Sequence, residues 1–400
     1  MAYHAALSRP RLGFKSRPGR FLAEVSLMVS VKSVGSSLKR RDLLAWRKVV
    51  DKSFAGNENY IFFSPFLREG EEREFLFLMD GDKEVGKACA TFDKVWVEKK
   101  KENIGFIDDF LLIPEYKDHA KLLIDQCLAI LKDKGLDGVY LRNNGFPALL
   151  AEGYEHLPPT QLPYNPPSYI DLFTDYGFEK RAEWSNMRIK LPLLSNEDIE
   201  SGKKRLEDAN IKITLLNLKN KKAVKEYSDL LNRIFITHFG FNPREFISSY
   251  NTVKKRVLSR FSAHLTRLKI YVGYKEDRMI LYFSFFSDMN QYYKSLRDEG
   301  KNPVGFGSFL RLIFKGPTGV NRARIGSLGI DEDFRGIGLI SDIIGYGLGL
   351  IAKEGYKEAD TGIVSAENMP VFKIIEKISR EWEVKDITPM KYYTLAYMFS

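Results

Sequence analysis

The sequence predicts a mixed α/β protein, an α+β mixed sheet carried by two similar units in tandem. Three observations predict it. An apolar strand, a turn, a helix and a second strand follow one another over residues 104–141, and the same order returns over residues 322–364. The chain has 400 residues, more than one hydrophobic core normally holds. The turn in the second copy is glycine-rich where the turn in the first has no glycine, so the copies share a shape and differ in one loop.

The elements of the first unit read in order. Residues 42–54 form a short helix on Leu43, Leu44, Trp46 and Val49-Val50. Residues 74–79 and 84–97 are β-branched and aromatic, hence strands, with Asp80-Gly81-Asp82 as a hairpin turn. A further strand spans 104–113, and Pro114 through His119 is the turn. Residues 119–134 make an amphipathic helix with Leu122, Leu123, Cys127 and Ile130 on one side. Gly135 ends it, and Gly138-Val139-Tyr140-Leu141 resumes a strand. Residues 153–169 hold five prolines among Tyr154, Tyr164 and Tyr169, which excludes regular helix and central strand. That stretch is a stiff aromatic loop, either walling a substrate pocket or covering the sheet as a packed connection.

Residues 192–210 read as linker plus charged helix, and strand 211–217 opens the second unit. Helices follow at about 221–237 and 243–264, with Asn242 capping the second and Pro243 at its first position. Strands come at 268–274 and 278–287 around a Glu276-Asp277 turn, then a helical stretch within 286–315, then strand 322–329. From Leu339 to Glu354 the chain is apolar and free of proline, long enough for about four turns of helix. Residues 358–364 form a short strand. A helix capped by Asn368, with Pro370 in its first turn, runs to Ile378. Trp382-Glu383-Val384 and Tyr392 through Met398 are strand-like.

The chemistry concentrates in Gly329-Ile330-Asp331-Glu332-Asp333-Phe334-Arg335-Gly336-Ile337-Gly338-Leu339-Ile340. A glycine loop running into a helix N-terminus leaves unpaired N–H groups at the positive end of the helix dipole, where phosphate or pyrophosphate binds. Arg335 adds a charge-assisted contact. A P-loop needs Lys and then Ser or Thr after its glycines, and Leu339-Ile340 supplies neither. A dinucleotide fingerprint needs a third glycine where Ser341 stands.

Strand, Arg-Gly-x-Gly, helix, strand, Asn-capped helix, strand resembles the C-terminal half of the GNAT superfamily of N-acyltransferases over residues 322–399. Arg335 and Gly338 match its Arg/Gln-x-x-Gly-x-Gly/Ala pattern, and Ile340 departs from it. Phe286 through Gln291, Phe306 through Leu310, Tyr164-Asn165-Pro166-Pro167 and Tyr176 through Lys180 resemble a little-characterised group of prokaryotic tandem GNAT-like proteins, over roughly residues 30–399. The resemblance implies two GNAT-like acyl-CoA N-acyltransferase domains in tandem. Residues 28–195 form an N-terminal domain with a degenerate cofactor loop, and 196–400 a C-terminal domain that binds acetyl-CoA or another acyl-CoA. It implies cofactor contacts at Leu328, Gly329, Ile330, Arg335, Gly336, Ile337, Gly338, Leu339, Ile340 and Asn368.

Acyl transfer to an amine needs a proton acceptor, donors for the oxyanion and a proton donor for the thiolate. Backbone N–H groups near a bulge at Leu328–Ile330 are the expected oxyanion donors. In typical GNAT domains the proton donor is a Tyr seven residues after the capping Asn, and here that position is Ile375. The strand before the loop also lacks the Glu or Asp that often serves as base. Glu367, Tyr392 and Tyr393 are the substitute catalytic candidates.

Composition sets the remaining expectations. The net charge is +10, but residues 1–41 hold nine basic residues against Glu24 alone, leaving 53 basic and 51 acidic residues in the body. The tail, residues 1–27, reads as a disordered or non-native extension with Met28 as the start, and the balanced body argues against a nucleic-acid partner. No run of about 18 uncharged apolar residues occurs, so no membrane span is expected. Cys89 and Cys127 lie in apolar segments and read as buried free thiols, and the five histidines show no metal-ligand spacing. The expected protein is a cytoplasmic acyltransferase, an acetyltransferase acting on a small-molecule or peptide amine, of undetermined oligomeric state. Two other readings stand beside it: a non-catalytic GNAT-like scaffold or acyl-CoA binder, and an aminoacyl-tRNA-dependent transferase of the FemX type.

Overall fold

The computed structural model describes residues 29–55, 57, 59, 71–191, 196–235, 261–303, 305–335, 339–381 and 387–399. Its strands are β1 Val29–Gly35, β2 Glu72–Asp80, β3 Lys83–Phe92, β4 Ile104–Leu112, β5 Gly138–Arg142, β6 Leu149–Glu152 and β7 Glu179–Lys190 in the first half. The second half supplies β8 Ile211–Leu215, β9 Lys269–Lys275, β10 Arg278–Ser287, β11 Arg322–Ile330, β12 Glu358–Asp360, β13 Val364–Ser365 and β14 Ile387–Met398. Helices are α1 Arg40–Ser53, α2 Lys94–Lys100, α3 Ala120–Lys132, α4 Tyr169–Tyr176, α5 Asn196–Asp208, α6 Lys221–Phe235, α7 Met289–Asp298, α8 Phe306–Lys315, α9 Leu339–Lys353 and α10 Met369–Glu381.

The described strands join one mixed sheet in the order β1-β2-β3-β4-β5-β14-β7-β12-β11-β10-β9-β8, with β6 on β14 and β13 on β7. Adding seven to each strand number of the first half turns this order into its own reverse, so the two halves are related by a pseudo-twofold axis between β14 and β7. The last strand of each half sits inside the other half's sheet: β14 pairs with β5, and β7 pairs with β12. The two exchanged strands pair with each other from Ile387↔Ile189 to Ala396↔Glu179.

Each half has its own packed core. In the first, Trp46 of α1 lies edge-on to Phe75 and Phe77 at 5.5 and 5.8 Å, and Leu123, Ile124, Cys127, Leu128 and Leu131 are the buried side of α3. Leu122, expected on that side, is exposed. Cys89 and Cys127 are buried and free. In the second, Phe283, Phe285, Ile343, Leu348 and Ile351 are buried together.

Local chemistry corrects three sequence expectations. Residues 94–97 are helix, not strand: the Asp93 carboxylate accepts from the N–H groups of Val95 and Trp96 at 3.0 and 3.2 Å, and this cap starts α2. The strand expected over 358–364 is broken into β12 and β13. The bulge in β11 is at Gly326, not Leu328–Ile330, as the register below shows. Helix α4 and the whole of β7 were not anticipated. Most of the expected helix 243–264 and the segment Trp382–Val384 lie outside the described residues; residues 261–265 are helical.

Candidate functional site

The site is built where β11 and β12 part. They run parallel only from Arg322↔Glu358 to Arg324↔Asp360; β13 then pairs with β7 instead. Beyond Arg324, β11 keeps β10 on one side, and no described strand pairs with the other. The β10–β11 register shifts between Ser284↔Ser327 and Phe285↔Ile325, which leaves Gly326 as the extra residue. A Cβ there would lie 2.8 Å from the Ser284 hydroxyl oxygen, and that hydroxyl accepts from the Ser327 N–H at 3.1 Å. The phase of the ladder is fixed at its end, where Asp331 N–H donates to the Ile280 carbonyl at 2.8 Å. Alternation then directs the N–H groups of Leu328 and Ile330 away from β10, toward the unpaired edge. Gly329 faces α6: a Cβ would meet Tyr282 at 2.8 Å and Ile234 at 3.0 Å.

The turn after β11 is held by arginines. The Asp331 carboxylate receives Arg233 and Arg278 at 3.0 and 2.9 Å, and Arg278 also reaches Asp333 at 2.7 Å. Burial pushes the Asp331 carboxyl up, but the hydrogen bonds from Arg278 and Arg233 outweigh it and keep it below the ordinary carboxylate range. Arg335 folds back on the turn, donating to the Ile330 carbonyl at 3.3 Å and to Glu332 at 3.1 Å. Gly336, Ile337 and Gly338 lie outside the described residues; Leu339 opens α9 and Ile340 packs against the second core.

The substitute catalytic candidates do not converge. Glu367 is exposed in the turn before α10. Asn368 immediately precedes that helix, and its carbonyl accepts from Val371 N–H at 3.0 Å. Tyr392 is fully buried; among the described residues its hydroxyl approaches only the Met390 sulfur, at 3.9 Å, and burial pushes its pKa far up, which makes it a poor proton donor. Tyr393, next along β14, points to the opposite face, half-buried beneath Lys180. Ile375 is buried with Met187 and Ile189 of β7.

The first half repeats this architecture with its opening closed. Ile113 N–H donates to the Val85 carbonyl at 2.9 Å, the counterpart of Asp331 to Ile280. Leu112 therefore corresponds to Ile330, and its outward N–H donates to the Tyr169 hydroxyl at 2.7 Å. Tyr169 begins α4 and is wedged among Phe110 and Phe173. The parallel β4–β5 register ends at Asp108↔Arg142. These two side chains form a buried bidentate ion pair, joined by Thr91 and Glu71. By register the corresponding positions in the second half are Gly326 and Gly362. The turn after β4 is a 3-10 helix, Pro114–His119. In the core of this half, Lys87 of β3 is 2% exposed with its ammonium 3.9 Å from the Trp46 ring centroid, and burial lowers its pKa to about 8.

A buried charge cluster, invisible to sequence reasoning, joins the halves. Arg324, Asp360 and Arg188 lie side by side on β11, β12 and β7, with Asn186 two residues from Arg188 on the same face. Arg322 pairs with Asp288, the cap of α7, and with Asp360 at 2.9 Å. The proline-rich loop straps the cluster. Leu157 carbonyl accepts from Arg188 at 2.9 Å and from Arg322 at 3.3 Å, Thr160 carbonyl accepts from Arg324 at 3.0 Å, and the Thr160 hydroxyl donates to Asp288 at 2.6 Å. The loop is thus a packed connection that also reaches the second half. Asp360 is 0% exposed and its carboxyl is raised to about 6: burial raises it, and the attraction of Arg322 and Arg188 only partly offsets that. Neither Asp360 oxygen receives a well-directed hydrogen bond, and the buried Asn186 oxygen and Arg188 Nε also lack one.

Among the described residues no group of His, Cys, Asp and Glu is arranged to hold a metal ion, and no helix is long and apolar enough to cross a membrane. No family profile matches the chain, and no curated protein matches it in sequence. Solved structures share its fold. One is a GCN5-related glucosamine N-acetyltransferase region of a fungal multi-domain GH3 beta-N-acetylglucosaminidase: TM-score 0.57, 13% identity, 93% of this chain and 38% of the other covered. This chain therefore spans well under half of that structure. Another is a tandem GNAT protein from the clavulanic acid biosynthesis pathway, solved without acetyl-CoA: TM-score 0.53, 9% identity, 93% of this chain and 98% of the other covered. The fold is that of tandem GNAT proteins, as the motifs in the sequence led us to expect.

Proposed function

We propose that the chain is an acyl-CoA-dependent N-acyltransferase made of two repeats, residues 28–195 and 196–400, with the cofactor in the second alone. The observation that carries this reading is the contrast at one equivalent position. The outward amide of Leu112 is taken by Tyr169 and the β4–β5 fork is filled by Asp108 and Arg142, whereas the outward amides of Leu328 and Ile330 face an edge with no partner among the described strands.

The residues present fit an acyl-CoA. Outward strand amides suit the amide-bearing pantetheine arm. The N-terminal turn of α9 with Arg335 suits the pyrophosphate. Bound there, the cofactor supplies an activated thioester. The chain's own contribution is to orient it along β11, with the Gly326 bulge turning backbone N–H groups toward the developing oxyanion. Asn368, at the start of α10, follows β13 by three residues and is the remaining cofactor contact in this reading.

A second reading, an acyl-CoA-binding protein without catalysis, has a specific observation in its favour: Ile375 stands where the family's proton-donating tyrosine would be, and Tyr392 is deeply buried with its pKa pushed up. Two experiments separate the possibilities. Calorimetry of the full chain with acetyl-CoA is expected to give one site, abolished by Gly338→Trp and unchanged by Lys117→Trp; equal effects of the two changes, or no binding at millimolar cofactor, refute the one-site reading. Release of free CoA with a panel of amines then distinguishes catalyst from binder.

A further inference from the structure

We propose that the buried cluster under the proline-rich loop is the acceptor subsite, and that the acceptor is a compact amino acid whose carboxylate is bound by Arg324. This rests on the acyl-transfer reading above and adds the chemical class of the second substrate. Arg324 is 8% exposed, and among the described residues it touches no carboxylate; its bonds go to the carbonyls of Thr160 and Ile325, at 3.0 and 2.7 Å. A guanidinium out of water normally takes a charged partner, and carbonyl dipoles replace one poorly. Gly362 makes the room it occupies, since a Cβ there would lie 2.4 Å from Arg324 Nη1.

The neighbours are complementary. Asp360 is the register partner of Arg324 and is fully buried; Arg322 and Arg188 stand 2.9 and 3.5 Å from it, yet neither of its oxygens accepts a well-directed hydrogen bond. The equally buried Asn186 oxygen is a third acceptor without a donor. One guanidinium without a carboxylate, next to three oxygens that lack a well-directed donor, describes a receptor for a zwitterion. Cross-strand neighbours lie about 5 Å apart, a spacing that suits the separation of amine and carboxylate in an α- or β-amino acid. The cluster sits at the fork of β11 and β12, two residues before the Gly326 bulge, so an amine held at Asp360 lies beside the strand that carries the thioester. Loop carbonyls of Leu157 and Thr160 occupy the guanidiniums in this structure; a substrate carboxylate replaces the weaker Thr160 contact by a charge-assisted one.

The test compares matched acceptors on the full chain with acetyl-CoA: glycine against methylamine, L-alanine against ethylamine, and L-phenylalanine against 2-phenylethylamine, read by release of free CoA thiol. At least one amino acid is expected to exceed its carboxylate-free partner in kcat/KM by roughly 10- to 100-fold, the worth of a charged hydrogen bond. Arg324→Met removes that preference mainly through KM, Arg324→Lys restores part of it, and acetyl-CoA affinity and melting temperature report whether each variant is folded. Equal rates within every pair, or a preference that survives in Arg324→Met, overturn the proposal. If no acceptor is turned over, calorimetric titration of the acetyl-CoA-saturated chain decides: heat from an amino acid and none from its partner supports the subsite, and no heat from any of them overturns it. Failure of acetyl-CoA itself to bind is a separate outcome that removes the acyl-transfer reading and this one with it.

Discussion

Tyr169→Phe removes a single oxygen and isolates the contact that closes the first half. Leu112 is 3% exposed and its N–H has the Tyr169 hydroxyl as acceptor at 2.7 Å. The ring stays, so packing against Phe110 and Phe173 persists. What remains is a buried amide without an acceptor, which costs about 1–3 kcal/mol. If the cost falls on local opening of this edge, exchange of the Leu112 amide speeds up by roughly 5- to 150-fold. Hydrogen exchange read by mass spectrometry on peptides covering 104–116 measures it, with peptides covering 322–335 as the internal control. Acetyl-CoA affinity should be unchanged, because the closed edge belongs to the other repeat. Unchanged protection at Leu112 would show that the hydroxyl is not what seals the strand, and a shift in acetyl-CoA affinity would show that the first repeat takes part in binding; either result refutes the reasoning.

Other expectations follow from the buried charges and one glycine. Burial lowers the Lys87 pKa to about 8, below the unfolded chain's value, so the unfolded chain holds the proton more tightly and stability rises as pH rises from about 8 to about 10.5. Lys87→Met is expected to erase that slope and to raise the melting temperature at pH 7, as seen by calorimetry. Asp360 has the opposite sign: its pKa is raised to about 6, so the folded chain takes up the proton first and stability falls as pH rises from about 4 to about 6. Asp360→Asn should flatten denaturation midpoints across that window. Gly362→Ala combines a φ of +79° with a Cβ 2.4 Å from Arg324, and should cost about 1–3 kcal/mol in chemical unfolding while displacing the guanidinium.

Legibility tracked the range of the causes. Strands β2, β4 and β5 and helix α3 were readable because their apolar periodicity is local. Helix α2 was not, since Val95-Trp96-Val97 mimics alternation and only the Asp93 side chain reveals the cap. β7 begins Glu179-Lys180-Arg181, too polar to read as a strand, and it exists because β14 and β12 flank it from the distant half. The start of α9 was readable from its proline-free apolar run; the glycine loop before it lies outside the described residues. Arg188, Arg324 and Asp360 were not, because three isolated charges far apart in sequence acquire meaning only when register sets them side by side. The Gly326 bulge was misplaced for the same reason: register shifts have no local signature.

The exchange of β7 and β14 has a consequence for biosynthesis. While the ribosome is still making the second repeat, β5 and β7 have no strand between them, because β14 follows every other described strand in sequence. The nascent first repeat must therefore wait with one edge of β5 and both edges of β7 bare, the kind of surface that invites wrong pairing. Completion of the sheet is a single late event that finishes both repeats at once, and a chain truncated before residue 387 leaves neither of them whole.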